Sequence, residues 1–194
     1  MTEKLRLGVL VSGRGSNLAA ILDEIKAGRL AAEVALVLSD NPTAKALDIA
    51  ARHGVAAESA VRKNFSDRVG FERYLAEKFI ATRVHLVVLA GFMRLLSAEF
   101  LQHFPERVIN IHPALLPSFP GLEAQKQALN YGVKISGCTV HYVNEIMDGG
   151  RIIAQTAVEV RPDDSEDSLS ARILAEEHRL LPQVIGQLAA ARRV

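Results

Sequence analysis

The feature that most constrains the fold is a set of short, uninterrupted apolar runs that alternate with helix-like patterns. The run Leu86 to Ala90 contains no polar residue, and Leu5 to Val11 is a second apolar run of similar kind. Such runs are too short for a buried helix and are typical of strands covered on both faces in a parallel sheet. We therefore predict a parallel sheet with both runs near its centre.

Helical periodicity separates the predicted strands, which include a further strand over Val34 to Ser39. The predicted helices are Leu18 to Ala27, Thr43 to His53, one capped by Ser66 that reaches Thr82, a short one capped by Ser97, and Leu122 to Tyr131. The regular alternation indicates an α/β fold, Rossmann-like, with a mixed and mainly parallel sheet flanked by helices.

The carboxy-terminal part of the chain follows a different pattern. Polar and apolar residues alternate over Ser136 to Val143, and Arg151 to Val160 reads as a second strand, which together predict an antiparallel hairpin. The acidic, capped segment Asp164 to Asp167 then begins a long final helix. Pro182 should kink or split that helix.

Composition narrows the class of protein further. The 194 residues are 49% hydrophobic, enough for one domain spanning 1–194, and a net charge of +1 with scattered basic residues argues against a nucleic-acid partner. No apolar run approaches a membrane span, and the amino terminus lacks a signal-peptide pattern. Cys138 is the single cysteine, so no internal disulfide can form. We expect a cytoplasmic protein.

An amide and an imidazole share one face of a predicted strand. Successive side chains of Val108-Ile109-Asn110-Ile111-His112 point to opposite faces, so Asn110 and His112 lie together where the strand ends. Pro113 stops the strand and restricts His112 to extended geometry. The amide can stabilise an oxyanion and the ring can move a proton near neutral pH, which indicates acyl transfer. A structural histidine is the alternative.

The segment Ser12 to Asn17 is a glycine turn between the first strand and the first helix. Its glycines permit a tight turn, and Ser16 or Asn17 can cap a helix whose positive end faces an anion. The segment does not match the dinucleotide-binding motif, because Leu18 occupies the third glycine position. It does not match a P-loop either, because no Gly-Lys-Ser/Thr follows. We expect one phosphate at Gly15, Ser16 and Asn17, with a plain turn as the alternative.

A second loop, Gly91 to Leu96, follows the most apolar strand. Ligands of doubly wound sheets bind beyond the carboxyl ends of the strands, so this loop and the residues after Ile111 should line one site. An apolar corner with one arginine suits a flat aromatic ligand. Asp40, at the end of the second strand, resembles a ribose-binding acid only superficially, and we do not assign it to a nucleotide.

Four motifs are spread in order over essentially the whole chain. They are Ser12 to Leu18, Ala90 to Arg94, Asn110 to Pro113 with Leu115 to Pro117, and Gly137 to His141 with Asp148 to Gly150. Together they resemble the glycinamide ribonucleotide formyltransferase family of the purine pathway. The resemblance implies transfer of a formyl group from 10-formyltetrahydrofolate to the primary amine of glycinamide ribonucleotide.

The resemblance also implies a role for individual residues. The catalytic residues would be Asn110, His112 and Asp148. The nucleotide phosphate would bind Gly15, Ser16 and Asn17, and the same substrate would contact Pro113 and Glu177. The residues that would bind folate are Met93, Arg94, Leu95, Leu96, Val143, Asn144, Glu145, Ile146 and Met147. Residues 1–104 would form the nucleotide half, and 105–194 the folate-binding and catalytic half. We expect no metal, no nucleic-acid or membrane partner, and a monomer or homodimer.

The chemistry of these residue types agrees with the implied reaction. Attack of an amine on a formyl carbon makes a tetrahedral oxyanion, to which Asn110 and protonated His112 can donate hydrogen bonds. Asp148 can favour the charged imidazole, raising its pKa, or hold a proton-shuttling water. The alternative for Asp148 is a turn residue before two glycines. Metal binding by these groups with His141 is a further, weaker alternative because no recognised ligand spacing is present.

The chain departs from the family pattern at three positions and leaves two related activities to consider. Glu123 and Gln125 lie where many relatives carry a histidine, and Arg151 replaces a frequent proline.

Formyltetrahydrofolate hydrolase would use the same chemistry with water as acceptor, and methionyl-tRNA formyltransferase would need a further RNA-binding domain. A non-catalytic phosphate-binding module would need the glycine loop alone.

Overall fold

The strands form one seven-stranded sheet in the computed structural model, which describes residues 4–192. They are β1 (Leu5–Val11), β2 (Ala32–Ser39), β3 (Ala57–Ser59), β4 (Leu86–Leu89), β5 (Val108–His112), β6 (Ile135–Tyr142) and β7 (Ile152–Glu159). Across the sheet they run in the order β3-β2-β1-β4-β5-β6-β7. The first five strands are parallel to one another, β6 pairs antiparallel with β5, and β7 pairs antiparallel with β6.

Helices cover both faces of this sheet. They are α1 (Ser16–Lys26), α2 (Lys45–Arg52), α3 (Arg68–Ala81), α4 (Ala98–His103), α5 (Ala124–Tyr131) and α6 (Glu166–Ala191), with one 3₁₀ turn at Arg62–Asn64. One core lies between the sheet and α1, α2 and α6, and the second lies between the sheet and α3 and α4. None of the helices formed by residues 4–192 has the length and apolar character needed to cross a membrane.

The alternation of side chains along β1 shows why the sheet carries a core on each face. Leu7, Val9 and Val11 are fully buried in the core on the α1 side, whereas Leu10 is fully buried in the core on the α3 side. Burial on both faces requires an apolar residue at nearly every position. The predicted mixed sheet, with β1 near its centre, the antiparallel hairpin and the long final helix are confirmed.

Several local predictions are wrong. Asp67, not Ser66, caps α3, because its carboxylate accepts a hydrogen bond from the Gly70 amide at 2.7 Å. Pro182 does not split α6, which continues through it, whereas the alternative that it kinks the helix stays a prediction. Its neighbours Leu181 and Val184 are fully buried and hold the helix in place. The edge strand β3 was not predicted, because three half-exposed residues carry no period-2 signal.

The carboxyl ends of the central strands meet at one edge of the sheet. The chain order reverses between β2, β1 and β4, which makes this edge the topological switch point where ligands of such folds bind. Ser12 follows β1 and donates its backbone amide to the carbonyl of Gly91 at 2.9 Å, so the loops after β1 and β4 are joined. The site described below is built on these loops and on the end of β5.

Two glycines of the core should respond oppositely to substitution by alanine. Gly186 lies inside α6 with room for a methyl group, since the nearest atom, a methyl of Leu30, is 3.6 Å from the added Cβ. We expect Gly186→Ala to raise the free energy of unfolding by about 0.5–1 kcal/mol. Gly8→Ala should lower it, because its Cβ would lie 2.7 Å from the ring of Phe79. Urea denaturation of both variants tests this, and a destabilised Gly186→Ala would contradict it.

Candidate active site

Asn110, His112 and Asp148 converge at the end of β5. The two β5 residues lie on one face of the strand, as predicted, and Asp148 reaches them from the loop between β6 and β7. The Nδ1 atom of His112 lies 3.4 Å from Oδ2 of Asp148, and Nδ2 of Asn110 lies 3.5 Å from Oδ1 of the same carboxylate. One carboxylate therefore contacts both side chains from β5.

His141 is a fourth polar member of this group, and sequence reasoning did not assign it a role in catalysis. It lies on β6 directly opposite Asn110, and its Nε2 atom is 3.2 Å from the Asn110 amide nitrogen and 3.7 Å from Asp148. Its Nδ1 atom lies 2.9 Å from the carbonyl of Tyr142. A carbonyl only accepts, so Nδ1 carries a proton, and Nε2 faces both the Asn110 amide and Asp148.

The backbone holds Asp148 in a conformation that few non-glycine residues adopt. Its φ of 50° is left-handed, and its Oδ2 atom accepts a hydrogen bond from the backbone amide of Gly121 at 2.8 Å. Gly150 passes so close to β6 that an added Cβ would lie 1.7 Å from the carbonyl oxygen of Tyr142. The Asp-Gly-Gly sequence is thus required for the chain to turn back at this point.

The surroundings of Asp148 favour its ionised form. Burial raises the pKa of this carboxyl, but the hydrogen bond with His141, the Gly121 amide and the positive charge that each histidine carries when protonated outweigh that effect. The pKa of Asp148 therefore lies below its usual range. A negative charge is retained beside His112 at neutral pH.

Asp148 raises the pKa of His112, as expected, but the net shift of this pKa is downward. The ring is 4% exposed, and burial lowers its pKa more than the hydrogen bond to the Phe119 carbonyl and the charge of Asp148 raise it. His141 lowers it further. Because the Phe119 carbonyl accepts at 2.8 Å, the proton of neutral His112 lies on Nε2. Nδ1, facing Asp148, is therefore the atom that can gain a proton.

A cavity of about 640 Å³, called here the glycine-loop cavity, opens beside this group. Its lining residues are Ser12, Gly13, Arg14, Gly15, Ser16, Asn17, Ala90, Gly91, Met93, Ile111, Pro113, Gln125, Asp167, Ser170, Ala171, Leu174 and Glu177. The predicted phosphate residues and both predicted substrate contacts, Pro113 and Glu177, are among them. Sequence reasoning missed the contribution of the first turns of α6, since no local motif marks that face of the helix.

The start of α1 is built differently from the prediction that Ser16 or Asn17 caps it. Gly15 is the N-cap residue, with a left-handed φ of 75° and no side-chain cap. The side-chain amide of Asn17 instead donates to Oε2 of buried Glu177 at 2.8 Å. Burial raises the pKa of Glu177, although Asn17 and the charge of Arg14 oppose the rise. The first amides of α1 still border the cavity, where a helix N-terminus favours an anion.

A second cavity, of about 350 Å³ and called here the apolar cavity, lies on the other side. Every residue predicted to bind folate lines it except Glu145, which is exposed. The wall is mainly apolar, and several large side chains on it remain exposed, namely Met93, Leu95, Leu122, Ile146 and Met147. Exposed apolar surface around a concave site is typical of a ligand pocket.

The two cavities share part of their lining. Gly91, Met93, Ile111 and Pro113 border both. Asn110, His112, His141 and Asp148 line the apolar cavity, and the shared residues Ile111 and Pro113 are the chain neighbours of Asn110 and His112, so the polar group lies next to the border. Two ligands, one in each cavity, would meet at these side chains.

The three departures from the family pattern lie at or beside the cavities. Glu123 has a left-handed φ of 54°, precedes α5 and lines the apolar cavity, whereas Gln125 lines the glycine-loop cavity. The guanidinium of Arg151 lies 4.5 Å from the centre of the Tyr142 ring. Within residues 4–192, no group of three or more His, Cys, Asp or Glu side chains is arranged to hold a metal ion.

Comparison with known proteins assigns this fold and site to a family. The family model described as formyl transferase matches residues 5–185. Because the match covers nearly all of the chain, the chain belongs to the formyl transferase family.

Individual proteins of known name are similar to this chain over nearly its whole length. The chain is 40% identical over 188 residues to phosphoribosylglycinamide formyltransferase of Escherichia coli K12, covering 97% of this chain and 89% of the relative. It is 46% identical to the trifunctional purine biosynthetic protein adenosine-3 of Drosophila melanogaster, over 96% of this chain but only 14% of that longer protein. The crystal structure of glycinamide ribonucleotide transformylase 1 from Symbiobacterium toebii has a TM-score of 0.96 at 50% identity, covering 97% of this chain and 89% of that one.

The balance of burial and charge at His112 predicts its titration. In the free protein its pKa should lie below the ordinary value of about 6.5, and Asp148→Asn should lower it further by removing the nearby negative charge. The folded protein then binds fewer protons than the unfolded chain, so this residue lowers the free energy of unfolding as pH falls below about 6.5.

Titration of the ring by NMR measures the effect. His178, whose pKa is lowered by burial alone, is the internal control and should not respond to Asp148→Asn. A rise in the pKa of His112 in the variant would contradict the assignment.

Proposed function

We propose that this chain transfers the formyl group of 10-formyltetrahydrofolate to the amine of 5-phosphoribosylglycinamide in de novo purine biosynthesis. The observation that carries the proposal is that two cavities adjoin at Ile111 and Pro113, the chain neighbours of Asn110 and His112, and that Asn110, His112 and Asp148 line one of these cavities. A group transfer needs two ligands whose reacting atoms are held together at the groups that stabilise the transition state. The relatives named above, in the same family, support the identity of the two ligands.

The ribonucleotide occupies the glycine-loop cavity in this proposal. Its phosphate binds the amides at Gly15, Ser16 and Asn17, where the helix end supplies a positive dipole and Arg14 a positive charge. Glu177, held by Asn17, accepts hydrogen bonds from hydroxyl or amine groups of the same ligand. Pro113, shared by both cavities, forms the wall nearest the reacting amine.

The folate occupies the apolar cavity. Its flat ring system packs among the exposed apolar side chains, which lie on the loop after β4, on the loop between β6 and β7 and, for Leu122, just before α5. The formyl-bearing nitrogen then lies toward Asn110 and His112, at the border with the nucleotide. The roles of residues 1–104 and 105–194 remain a prediction, and both cavities draw lining residues from each half.

The chemistry follows from the geometry of the polar group. The amine attacks the formyl carbon, a tetrahedral oxyanion forms, and the amide of Asn110 donates to that oxygen. Neutral His112 takes the proton that the amine releases, at Nδ1, where the ionised Asp148 stabilises the new charge. The imidazolium then returns the proton to the departing folate nitrogen, which breaks the original carbon–nitrogen bond.

The activity is tested by following deformylation of 10-formyltetrahydrofolate spectrally, with and without the ribonucleotide. We expect deformylation to depend on the ribonucleotide and to yield one equivalent of formylated product. Deformylation that proceeds equally fast without it would instead indicate the hydrolase. No reaction, with both ligands bound, would indicate a binding module.

Single substitutions test the assignment of the polar group. Asn110→Ala, His112→Ala and Asp148→Asn should each lower kcat by about two to three powers of ten, the loss expected when one oxyanion donor or its support is removed. Substrate dissociation constants should change much less, because these contacts are strongest in the transition state. Folding is checked by circular dichroism. Near-normal turnover of His112→Ala would remove the proton-transfer role.

Gly15→Val tests the phosphate site, with Gly28→Val as a matched control at the other end of α1. Both positions have positive φ, but a Cβ at Gly15 would lie 2.7 Å from the backbone of Ala46, whereas nothing lies within 4 Å at Gly28. We expect only Gly15→Val to weaken ribonucleotide binding, with folate binding largely preserved. Calorimetry with each ligand measures this. An unchanged affinity for the ribonucleotide would show that its phosphate binds at other residues.

A further inference from the structure

An ion pair at the sheet edge lies outside the proposed catalytic group. Asp40 directly follows β2, and its Oδ2 atom accepts a hydrogen bond from Nε of Arg94 at 2.6 Å. The Asp40 side chain is 9% exposed and that of Arg94 is 44% exposed. The pair thus joins a nearly buried carboxylate to a guanidinium on the rim of the apolar cavity.

The loop that carries Arg94 is fixed on its inner side. Besides the bond between Ser12 and Gly91, the amide of Met93 donates to the Ser12 hydroxyl at 3.0 Å. The guanidinium carbon of Arg94 also lies 6.0 Å from the ring centre of Phe71. The backbone beside Arg94 is held by these hydrogen bonds, and one face of its guanidinium lies over the Phe71 ring. The ion pair with Asp40 then fixes the orientation of the guanidinium.

The carboxylate is not explained by its own stability. The Oδ1 atom of Asp40 is buried and has no hydrogen-bond partner among the described residues. An unpaired buried carboxylate oxygen costs free energy, and the ion pair with Arg94 is the contact that compensates the charge of Asp40. The charge on Asp40 therefore acts through Arg94.

Arg94 has a particular position among the charges of the apolar cavity. Of the described residues that line it, Arg94 is the one lysine or arginine, and the acids are Glu123 and Asp148. Because Nε is engaged by Asp40, the two terminal amino groups remain to bind a ligand. A planar pair of such donors matches both oxygens of a carboxylate.

We propose that Asp40 is a positioning residue that orients Arg94 to bind a carboxylate of the folate glutamate. This inference rests on the proposed function, since it takes folate as the ligand of the apolar cavity. Asp40 does not touch the reacting atoms, and it acts on folate affinity and on selectivity for carboxylate-bearing folates.

Asp40→Asn keeps the shape of the side chain and removes its charge. We expect the folate KM to rise about fivefold, the scale of a partly exposed ion pair, with kcat and the ribonucleotide KM nearly unchanged. Glu58→Gln is the matched control, because Glu58, on the neighbouring strand β3, pairs with Lys78 at 2.8 Å and lines neither cavity. An equal rise in Glu58→Gln, or a fall in kcat alone, would overturn the proposal.

A double substitution and a modified ligand separate positioning from a general folding effect. In an Arg94→Met background Asp40→Asn should have no further effect on folate affinity. The same should hold in wild-type Arg94 protein when both glutamate carboxylates of the folate are converted to amides. A fivefold loss that persists in either case, or tighter binding by Asp40→Asn, would overturn the role.

Direct calorimetry of 10-formyltetrahydrofolate on the unmodified chain is the reference measurement. If this chain binds the folate and Asp40→Asn binds it equally well, the positioning role fails while the proposed function stands. If the unmodified chain does not bind the folate, the proposed function fails and this inference fails with it.

Discussion

The antiparallel pairing of β6 with β5 is the constraint on which the candidate site depends. The first five strands run parallel to one another, and β5 brings Asn110 and His112 to this part of the sheet edge. Reversal at β6 places His141 opposite Asn110 and returns the chain so that the following loop carries Asp148 to the same point. Gly149 and Gly150 permit the close return, because a side chain at Gly150 would collide with the backbone of β6.

Burial and charge act in opposite directions within the polar group, and their balance fits a proton carrier. Burial keeps His112 neutral in the free protein, while hydrogen bonds keep Asp148 ionised beside it. A neutral ring with a carboxylate 3.4 Å from its unprotonated nitrogen is ready to accept a proton. The charge pair forms when the amine attacks, so its stabilisation falls on the transition state more than on the bound substrates.

The sequence predicted those features that depend on local pattern. Strand alternation placed Asn110 and His112 on one face, and the rule that ligands bind at carboxyl ends of strands brought the loops after β1, β4 and β5 together. The role of His141 could not be predicted, because strand register is a tertiary property. The effect of Asp148 on the pKa of His112 was predicted, but the net downward shift was not, since the charge of Asp148 is visible in the sequence and the burial of the ring is not. Likewise, the side chain of Asn17 is engaged by Glu177, a residue far along the chain.

The central claim is that His112 and Asp148 act as one unit in the transition state. A double-mutant cycle on kcat, comparing His112→Ala, Asp148→Asn and the double variant, measures this coupling most directly. If Asp148 acts by stabilising the charged ring, its substitution should have little further effect once the ring is absent, so the double variant should lose less than the product of the single losses. Losses that multiply fully would show that the two residues act independently and would contradict the account.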